Sequence, residues 1–149
     1  MSTANALQQK IHAAIPLSAA MQFSIEALSL DQIRVSAPLE PNINIHGTGF
    51  AGSIYAVAVL AGWALCTHIM EELEMEGDLV VAKADIAYRA PVTAALECKC
   101  NVSAAARESF ASEFGNAGKA KLLLEIQVGD RPQAVLQATY VALPTKASA

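Results

Sequence analysis

The stretch at residues 42–70 reads NINIHGTGFAGSIYAVAVLAGWALCTHIM and contains no Asp, Glu, Lys or Arg. Its second part is apolar on every face of a helix and, at about 20 residues, is long enough to cross a membrane. However, it lacks basic flanks and is followed at once by five acidic residues in EELEMEGD, residues 71–78. In a water-soluble domain, a helix that is apolar all round is buried all round. We therefore predict a fully buried helix at about residues 53–73 and no membrane span.

The segments on either side of this helix alternate apolar and polar residues, which predicts β-strands. Short connections favour antiparallel pairing, and a short helix is expected at residues 4–14, before Pro16. All the apolar strand faces need one partner, and the long helix is the largest available. The prediction is a single α+β domain over residues 1–149, with an antiparallel sheet wrapped around one long buried helix. The predicted strands lie near residues 21–27, 33–37, 80–89, 96–103, 119–128 and 133–143, and the third carries Val80, Ala82, Ala84, Ile86 and Tyr88 on its apolar face.

Composition excludes some functional classes. The formal net charge of -4 disfavours a nucleic-acid-binding protein. Cys66, Cys98 and Cys100 show no zinc-binding spacing and are expected to be small core residues in a reducing compartment. The N-terminus has no signal-peptide pattern, so a cytoplasmic location is expected. Hydrophobic residues make up 54% of the chain and charged residues only 16%, which favours an oligomer.

The segment HGTGFAGS, residues 46–53, leads into the long helix and is here called the helix mouth. Its three glycines allow tight turns and close approach of the backbone to a ligand. Ser53 is the predicted N-cap residue. The first amides of the helix would then form a site for an anion or a developing oxyanion. The alternative, a glycine-rich turn that only leads into a buried helix, fits the spacing equally well.

These residues resemble a known family. Asn44–Thr48 followed by Phe50–Gly52 resembles the Asn-x-His-Gly-Thr-x-His-Gly-Gly segment of acyl-CoA thioesterases with the hotdog fold. The longer string PLEPNINIHGTGFAGSIYAVAVLAGWALC, with ADIAYRAPV further on, is similar to one hotdog branch long labelled as thioesterases. Its members occur alone or fused behind an acetyltransferase-like domain in proteobacteria. The resemblance links this branch to malonyl-acyl-carrier-protein decarboxylation, with a loop asparagine as the critical residue. Asn44 matches that position, and Asn42 is the nearest alternative.

The departures from the thioesterase pattern concern the chemistry. Phe50 stands where those enzymes have a second histidine. The helix positions that carry their carboxylate hold Ala58 and Val59, which can neither activate water nor attack a carbonyl. The next acid on the helix is Glu71, about 27 Å along the axis. Decarboxylation needs no strong base, only stabilisation of an enolate oxyanion in an apolar setting.

The resemblance and these departures together predict a malonyl-acyl-carrier-protein decarboxylase that supplies acetyl groups to prime fatty-acid synthesis. Asn44 and the Gly52 amide are its predicted catalytic groups. One alternative is an acyl-CoA or acyl-carrier thioesterase, which requires Asp85 or a partner-subunit acid among residues 71–76 to reach the pocket. A second alternative is a non-catalytic acyl-carrier binding module.

The remaining candidates have a functional and a plain structural interpretation. The expected substrate contacts around the helix mouth are Asn42, His46, Thr48, Phe50, Ser53 and Tyr55, and each could instead only shape the loop or the helix. Asp85 is either an acid for hydrolysis or a solvated or dimer-contact residue. Arg89, Lys119 and Lys121 are either solvated charges or a docking site for phosphopantetheine, coenzyme A phosphates or an acidic carrier. No cofactor is expected beyond the phosphopantetheine that carries the substrate. The resemblance implies a homodimer or homotetramer with the acyl pocket between subunits.

Overall fold

A computed structural model describes residues 2–145, which form four α-helices, one 3₁₀ turn and one six-stranded sheet. The single domain expected over residues 1–149 includes Met1 and residues 146–149, which lie outside the described residues. The elements in chain order are α1 (Thr3–Ala14), α2 (Pro16–Ala20), β1 (Ser24–Leu28), β2 (Gln32–Ala37), the 3₁₀ turn (Glu40–Asn42), α3 (Ala51–Glu72), β3 (Asp78–Tyr88), β4 (Leu96–Asn101), α4 (Ala104–Ala117), β5 (Ala120–Val128) and β6 (Ala134–Leu143).

The sheet has the strand order β1-β2-β4-β5-β6-β3, and every neighbouring pair is antiparallel. Strand β5 shows why the alternation was informative, since every second residue from Ala120 to Val128 is buried and the residues between them, including Leu123, are mostly exposed. These inner faces pack on α3, which contacts β2, β3, β4, β5 and β6. The predicted α+β architecture, an antiparallel sheet wrapped around one long helix, is confirmed.

Helix α3 forms the centre of the core. It is long and apolar enough to cross a membrane, but 72% of its most apolar 18-residue window is buried inside the protein. Burial is not complete on all sides, and in this respect the prediction is wrong. A stripe at helical spacing stays partly exposed, because the sheet does not cover that side of the helix. The stripe comprises Tyr55, Ala56, Val59, Trp63 and Thr67.

A β-bulge at Ala82 changes which residues of β3 face the core. Val81 pairs with Tyr140 and Lys83 with Thr139, so Ala82 is an extra residue on this strand. The bulge reverses the alternation, as an inserted residue must. Leu79, Val81, Ala84, Ile86 and Tyr88 therefore face α3, whereas Val80 lies on the outer face opposite Val141. The predicted apolar face is wrong for Val80 and Ala82.

Two helices were absent from the predicted element order. Helix α2 begins at Pro16, in the first helical position that proline tolerates. Helix α4 begins after Ser103, whose side chain accepts a hydrogen bond from the Ala106 amide at 3.1 Å, and ends at Gly118 with a left-handed φ of 71°. Its periodicity is weak because Phe110 is its one fully buried side chain.

The three cysteines lie in the core, as predicted. Burial raises the pKa of Cys98 to about 12. Burial, with a smaller contribution from Glu125, raises that of Cys100 to about 12. Burial, followed by the neighbouring Cys100, also raises the pKa of Cys66. Such thiols stay protonated at neutral pH and are poor nucleophiles.

Candidate functional site

The two loop asparagines have different environments. Asn42 is only 1% exposed, and its Nδ2 donates to the carbonyls of Met21 at 2.9 Å and Pro38 at 2.8 Å. The backbone carbonyl of Asn42 accepts a hydrogen bond from the Phe50 amide at 2.8 Å. The Asn42 side chain therefore ties the loop to the core and is not presented at the helix mouth.

Asn44 is partly exposed and organises the turn that follows it. Its Oδ1 accepts from the amides of His46 at 2.8 Å and Thr48 at 3.1 Å. Its Nδ2 donates to Thr48 Oγ1 at 2.9 Å and to the Gly49 carbonyl at 3.2 Å. Side-chain bonds of this kind replace the backbone pairing that a tight turn lacks. The side chain of His46, by contrast, is exposed.

Helix α3 begins at Ala51 with Phe50 in the N-cap position, so the prediction of Ser53 as N-cap is wrong. Ser53 lies inside the first turn instead. Phe50 has no side-chain oxygen, and the helix has no side-chain cap. The amides of Ala51, Gly52 and Ser53 precede the first intrahelical bond, which Ile54 donates to Phe50. These three N–H groups are therefore available to a ligand at the positive end of the helix dipole.

Two glycines allow close packing around this first turn. A Cβ on Gly52 would lie 2.5 Å from Cε2 of the Phe50 ring, so this ring folds over the turn only because position 52 has no side chain. A Cβ on Gly49 would lie 3.1 Å from Cβ of Val92, whose carbonyl accepts from the Gly49 amide at 2.8 Å. Both glycines thus hold the helix mouth in shape.

Aromatic side chains surround the first turn. Phe50, Tyr55 and Tyr88 are all exposed large residues, and the Tyr88 hydroxyl donates to the Ala51 carbonyl at 2.8 Å. Burial, followed by the neighbouring Tyr55, raises the pKa of Tyr88. Tyr88 was missed as a site residue because alternation assigned it to the core. The one available signal was its place in the string ADIAYRAPV.

Within residues 2–145, no hydrogen bond or ion pair of the helix mouth involves a carboxylate. Ala58 is fully buried and Val59 partly buried. Asp85 pairs in register with Gln137 on the outer face, away from α3, so the structure does not bring it to the mouth of its own subunit. Glu40, exposed at the start of the 3₁₀ turn that ends at Asn42, is an acid close to the mouth in sequence, and no sequence pattern singled it out.

The basic candidates separate into two groups. Arg89 follows Tyr88 directly, and its amide donates to Gln133, so it lies at the mouth end of the sheet. Val128, Ala134 and Tyr88 lie opposite one another on β5, β6 and β3, at the mouth end of the sheet. Lys121 is seven residues from Val128 along β5. That separation is about 23 Å along the strand. Lys119 lies further still, so neither lysine approaches the mouth of its own subunit.

Comparison with known proteins shows the family of this chain. Residues 4–144 match the family model described as "Putative thioesterase (yiiD_Cterm)". The chain belongs to this family. The match covers nearly the whole domain, including the helix mouth, and it agrees with the resemblance noted from residues 38–66.

Solved structures support both the family and the fold. A "putative thioesterase" of Shewanella oneidensis is 38% identical, with a TM-score of 0.85 over 95% of this chain and 97% of that one. A protein of Chlorobaculum tepidum is 28% identical, with a TM-score of 0.91 over 95% and 94% of the two chains. A thioesterase of Haemophilus influenzae shares the fold, with a TM-score of 0.70 at 14% identity over 98% and 94%. The architecture is thus the hotdog fold of this thioesterase-like family.

Proposed function

We propose that this protein acts on an acyl thioester at the helix mouth. Its reaction is decarboxylation of a malonyl group carried on the phosphopantetheine of acyl carrier protein, to give an acetyl group that primes fatty-acid synthesis. The observation that carries the proposal is an uncapped helix N-terminus flanked by aromatic side chains, in a helix that has alanine and valine where hydrolysis would need a carboxylate.

The bond changes require little from the protein. The bond between the malonyl carboxylate carbon and the methylene carbon breaks, and carbon dioxide leaves. The electron pair passes into the thioester, whose oxygen becomes an enolate oxyanion. A proton from water then converts the methylene carbon to the methyl group of the acetyl thioester. The protein's part is to stabilise the oxyanion and to hold the carboxylate in apolar surroundings.

The first turn of α3 is suited to both tasks. The amides of Ala51, Gly52 and Ser53 have no intrahelical acceptor at the helix start. Losing one such oxyanion donor typically lowers kcat about 100- to 1,000-fold. Phe50 and Tyr55 supply the apolar wall beside them.

Asn44 has two possible contributions, which a variant of Thr48 distinguishes. Either the Asn44 side chain gives up one of its two Nδ2 hydrogen bonds and donates to the substrate, or it acts only by holding the turn before α3. Thr48→Val removes one acceptor of Asn44 Nδ2, the hydroxyl at 2.9 Å. If Nδ2 serves the substrate, this variant keeps full activity while Asn44→Ala loses it. If Asn44 only orders the turn, both variants lose activity.

The experiment is a mass-spectrometric time course with malonyl-acyl carrier protein and a panel of acyl-CoAs. Acetyl-carrier product from the parent, lost in Asn44→Ala and kept in the control Glu108→Gln, at an exposed position of α4, is the expected result. Free carrier thiol without acetyl product would show that the reaction is hydrolysis and not decarboxylation. Binding of the carrier without turnover would leave only a binding module.

Hydrolysis is the second candidate, because family members are described as thioesterases. It needs a carboxylate at the helix mouth, and Glu40 is the first to test within the same subunit. Glu40→Gln would then abolish release of free thiol, whereas Asp85→Asn, on the outer face, would leave it unchanged.

A further inference from the structure

Two tyrosines of the sheet donate hydrogen bonds to backbone carbonyls of α3. The Tyr140 hydroxyl, on β6, donates to the Val59 carbonyl at 2.8 Å, near the middle of the helix. The Tyr88 hydroxyl, at the end of β3, donates to the Ala51 carbonyl at 2.8 Å, in the first turn. In an α-helix each carbonyl is already the acceptor of the amide four residues further on. Neither hydroxyl is therefore needed to complete the helix.

The two hydroxyls differ in their need for a partner. Tyr140 is fully buried, and a buried hydroxyl must find an acceptor inside the protein. Tyr88 is 49% exposed, so water could satisfy its hydroxyl without the helix. Burial therefore explains the bond of Tyr140 to α3 but does not explain the bond of Tyr88.

The acceptor of Tyr88 belongs to the peptide group that carries the Gly52 amide. The Ala51 carbonyl and the Gly52 N–H form one planar trans unit, in which the two bonds point in opposite directions. A hydrogen bond that fixes the direction of the carbonyl therefore fixes the direction of the N–H as well. It also polarises the peptide group, which makes the N–H a stronger donor. Tyr88 can thus act on the Gly52 amide without touching it.

We propose that Tyr88 is a positioning residue for the reaction at the helix mouth, which holds and polarises the Gly52 amide through the Ala51 carbonyl. The inference deepens the proposed function and rests on it, since Gly52 supplies an N–H to the enolate oxyanion in that reaction. Tyr88 itself does not have to contact the substrate.

The first turn of α3 needs such support from outside. Helix α3 has no side-chain cap, and Gly52 has no side chain to restrict its own backbone. The bonds donated by the Gly49 and Phe50 amides hold the loop before the helix and not the turn itself. Within residues 2–145, the Tyr88 hydroxyl makes the one hydrogen bond from another element to the peptide groups of this turn.

The Tyr88 hydroxyl keeps its proton over the working pH range. Burial, followed by the neighbouring Tyr55, raises the pKa of Tyr88. An unperturbed tyrosine loses its proton only near about pH 10. Because the shift is upward, the hydroxyl remains a donor to the Ala51 carbonyl throughout neutral pH.

Isotope labelling reports on this peptide group directly. The chain has three Ala-Gly pairs, so protein labelled with carbon-13 in the alanine carbonyls and nitrogen-15 in glycine gives three correlated NMR signals, from Ala51-Gly52, Ala61-Gly62 and Ala117-Gly118. Tyr88→Phe should shift the Ala51-Gly52 signal and leave the Ala117-Gly118 signal in place. Tyr140→Phe is the matched control, because it removes the other hydroxyl that donates to α3. It should shift the Ala61-Gly62 signal, which lies against the Tyr140 ring, and leave Ala51-Gly52 unchanged.

Turnover tests whether this peptide group matters for the reaction. Tyr88→Phe should lower kcat for malonyl-acyl carrier protein about tenfold with KM little changed, because the oxyanion forms only in the transition state. Tyr140→Phe should leave kcat unchanged and lower the urea midpoint. Replacement of Tyr88 by 4-aminophenylalanine restores an N–H donor at the same place. It should recover most of the lost kcat together with the parent Ala51-Gly52 signal.

An Ala51-Gly52 signal that does not move in Tyr88→Phe would overturn the proposal, whatever the activity of the variant. So would a shifted signal with unchanged kcat, or an equal loss of kcat in Tyr140→Phe. If the parent protein turns over no thioester, the proposed function fails. The labelled signals, recorded without substrate, then still decide whether Tyr88 sets the Gly52 amide.

Discussion

Gly62→Ala is expected to destabilise the protein although alanine is the better helix former. Gly62 lies in the middle of α3, and a Cβ there would overlap the Tyr140 hydroxyl and lie 2.6 Å from Cζ of its ring. Tyr140 is fully buried, and its hydroxyl donates to the Val59 carbonyl at 2.8 Å. The Tyr140 ring, on β6, therefore packs directly on the backbone of α3 and cannot move away freely.

The magnitude follows from three contributions. Overpacking costs about 2 kcal/mol, the displaced hydrogen bond costs about 1 kcal/mol, and replacing a helical glycine by alanine returns about 1 kcal/mol. The net loss in unfolding free energy is about 2 kcal/mol, which lowers the urea midpoint by about 1 M. Gly115→Ala is the matched control, because Gly115 is also helical and a Cβ there would meet no atom within 4 Å. It should raise stability by about 0.5 to 1 kcal/mol.

The assay is urea unfolding followed by the fluorescence of Trp63, the one tryptophan, at fixed protein concentration. Tyr140→Phe should cost about 1 kcal/mol in the parent but less in the Gly62→Ala background, where the hydroxyl is already displaced. Gly62→Ala and Gly115→Ala unfolding at the same midpoint would refute the close contact between Tyr140 and the helix.

Three further predictions concern the helix mouth and the core. Asn42→Ala should lower the unfolding free energy, measured by urea unfolding, by about 2 kcal/mol, because it leaves the carbonyls of Met21 and Pro38 without their donor. A loss of less than about 0.5 kcal/mol, as for a surface substitution, would contradict the buried role of Asn42. Gly52→Ala should leave the urea midpoint unchanged or raised, yet reduce thioester turnover, because the new Cβ displaces the Phe50 ring. Unchanged turnover would show that the position of the Phe50 ring does not matter for the reaction. Iodoacetamide at pH 8 should not modify Cys66, Cys98 or Cys100 in the native protein and should react with them only in urea, because burial raises the pKa of each thiol. The intact mass of the protein measures the modification, and rapid alkylation of the native protein would be inconsistent with their burial.

Much of the site could be located from the sequence but not assembled from it. The glycines and the charge-free stretch marked the helix mouth. Asn42 does not face the mouth, because its side chain donates hydrogen bonds to the carbonyls of Met21 and Pro38, which lie outside the loop. Tyr88 lies 37 positions from Ala51, and only the packing of β3 against α3 joins them. No local pattern encodes either contact.

The sequence by itself determined the central helix, the strand segments and their antiparallel arrangement, because burial imposes a period that each segment carries locally. The tertiary structure alone decided where the helix starts, which side of it stays open and how β3 presents its residues. The bulge at Ala82 exists only in relation to β6, and it moves Val80 to the outer face. Hydrophobic periodicity records that a residue is buried, whereas the register between strands decides against what it is buried.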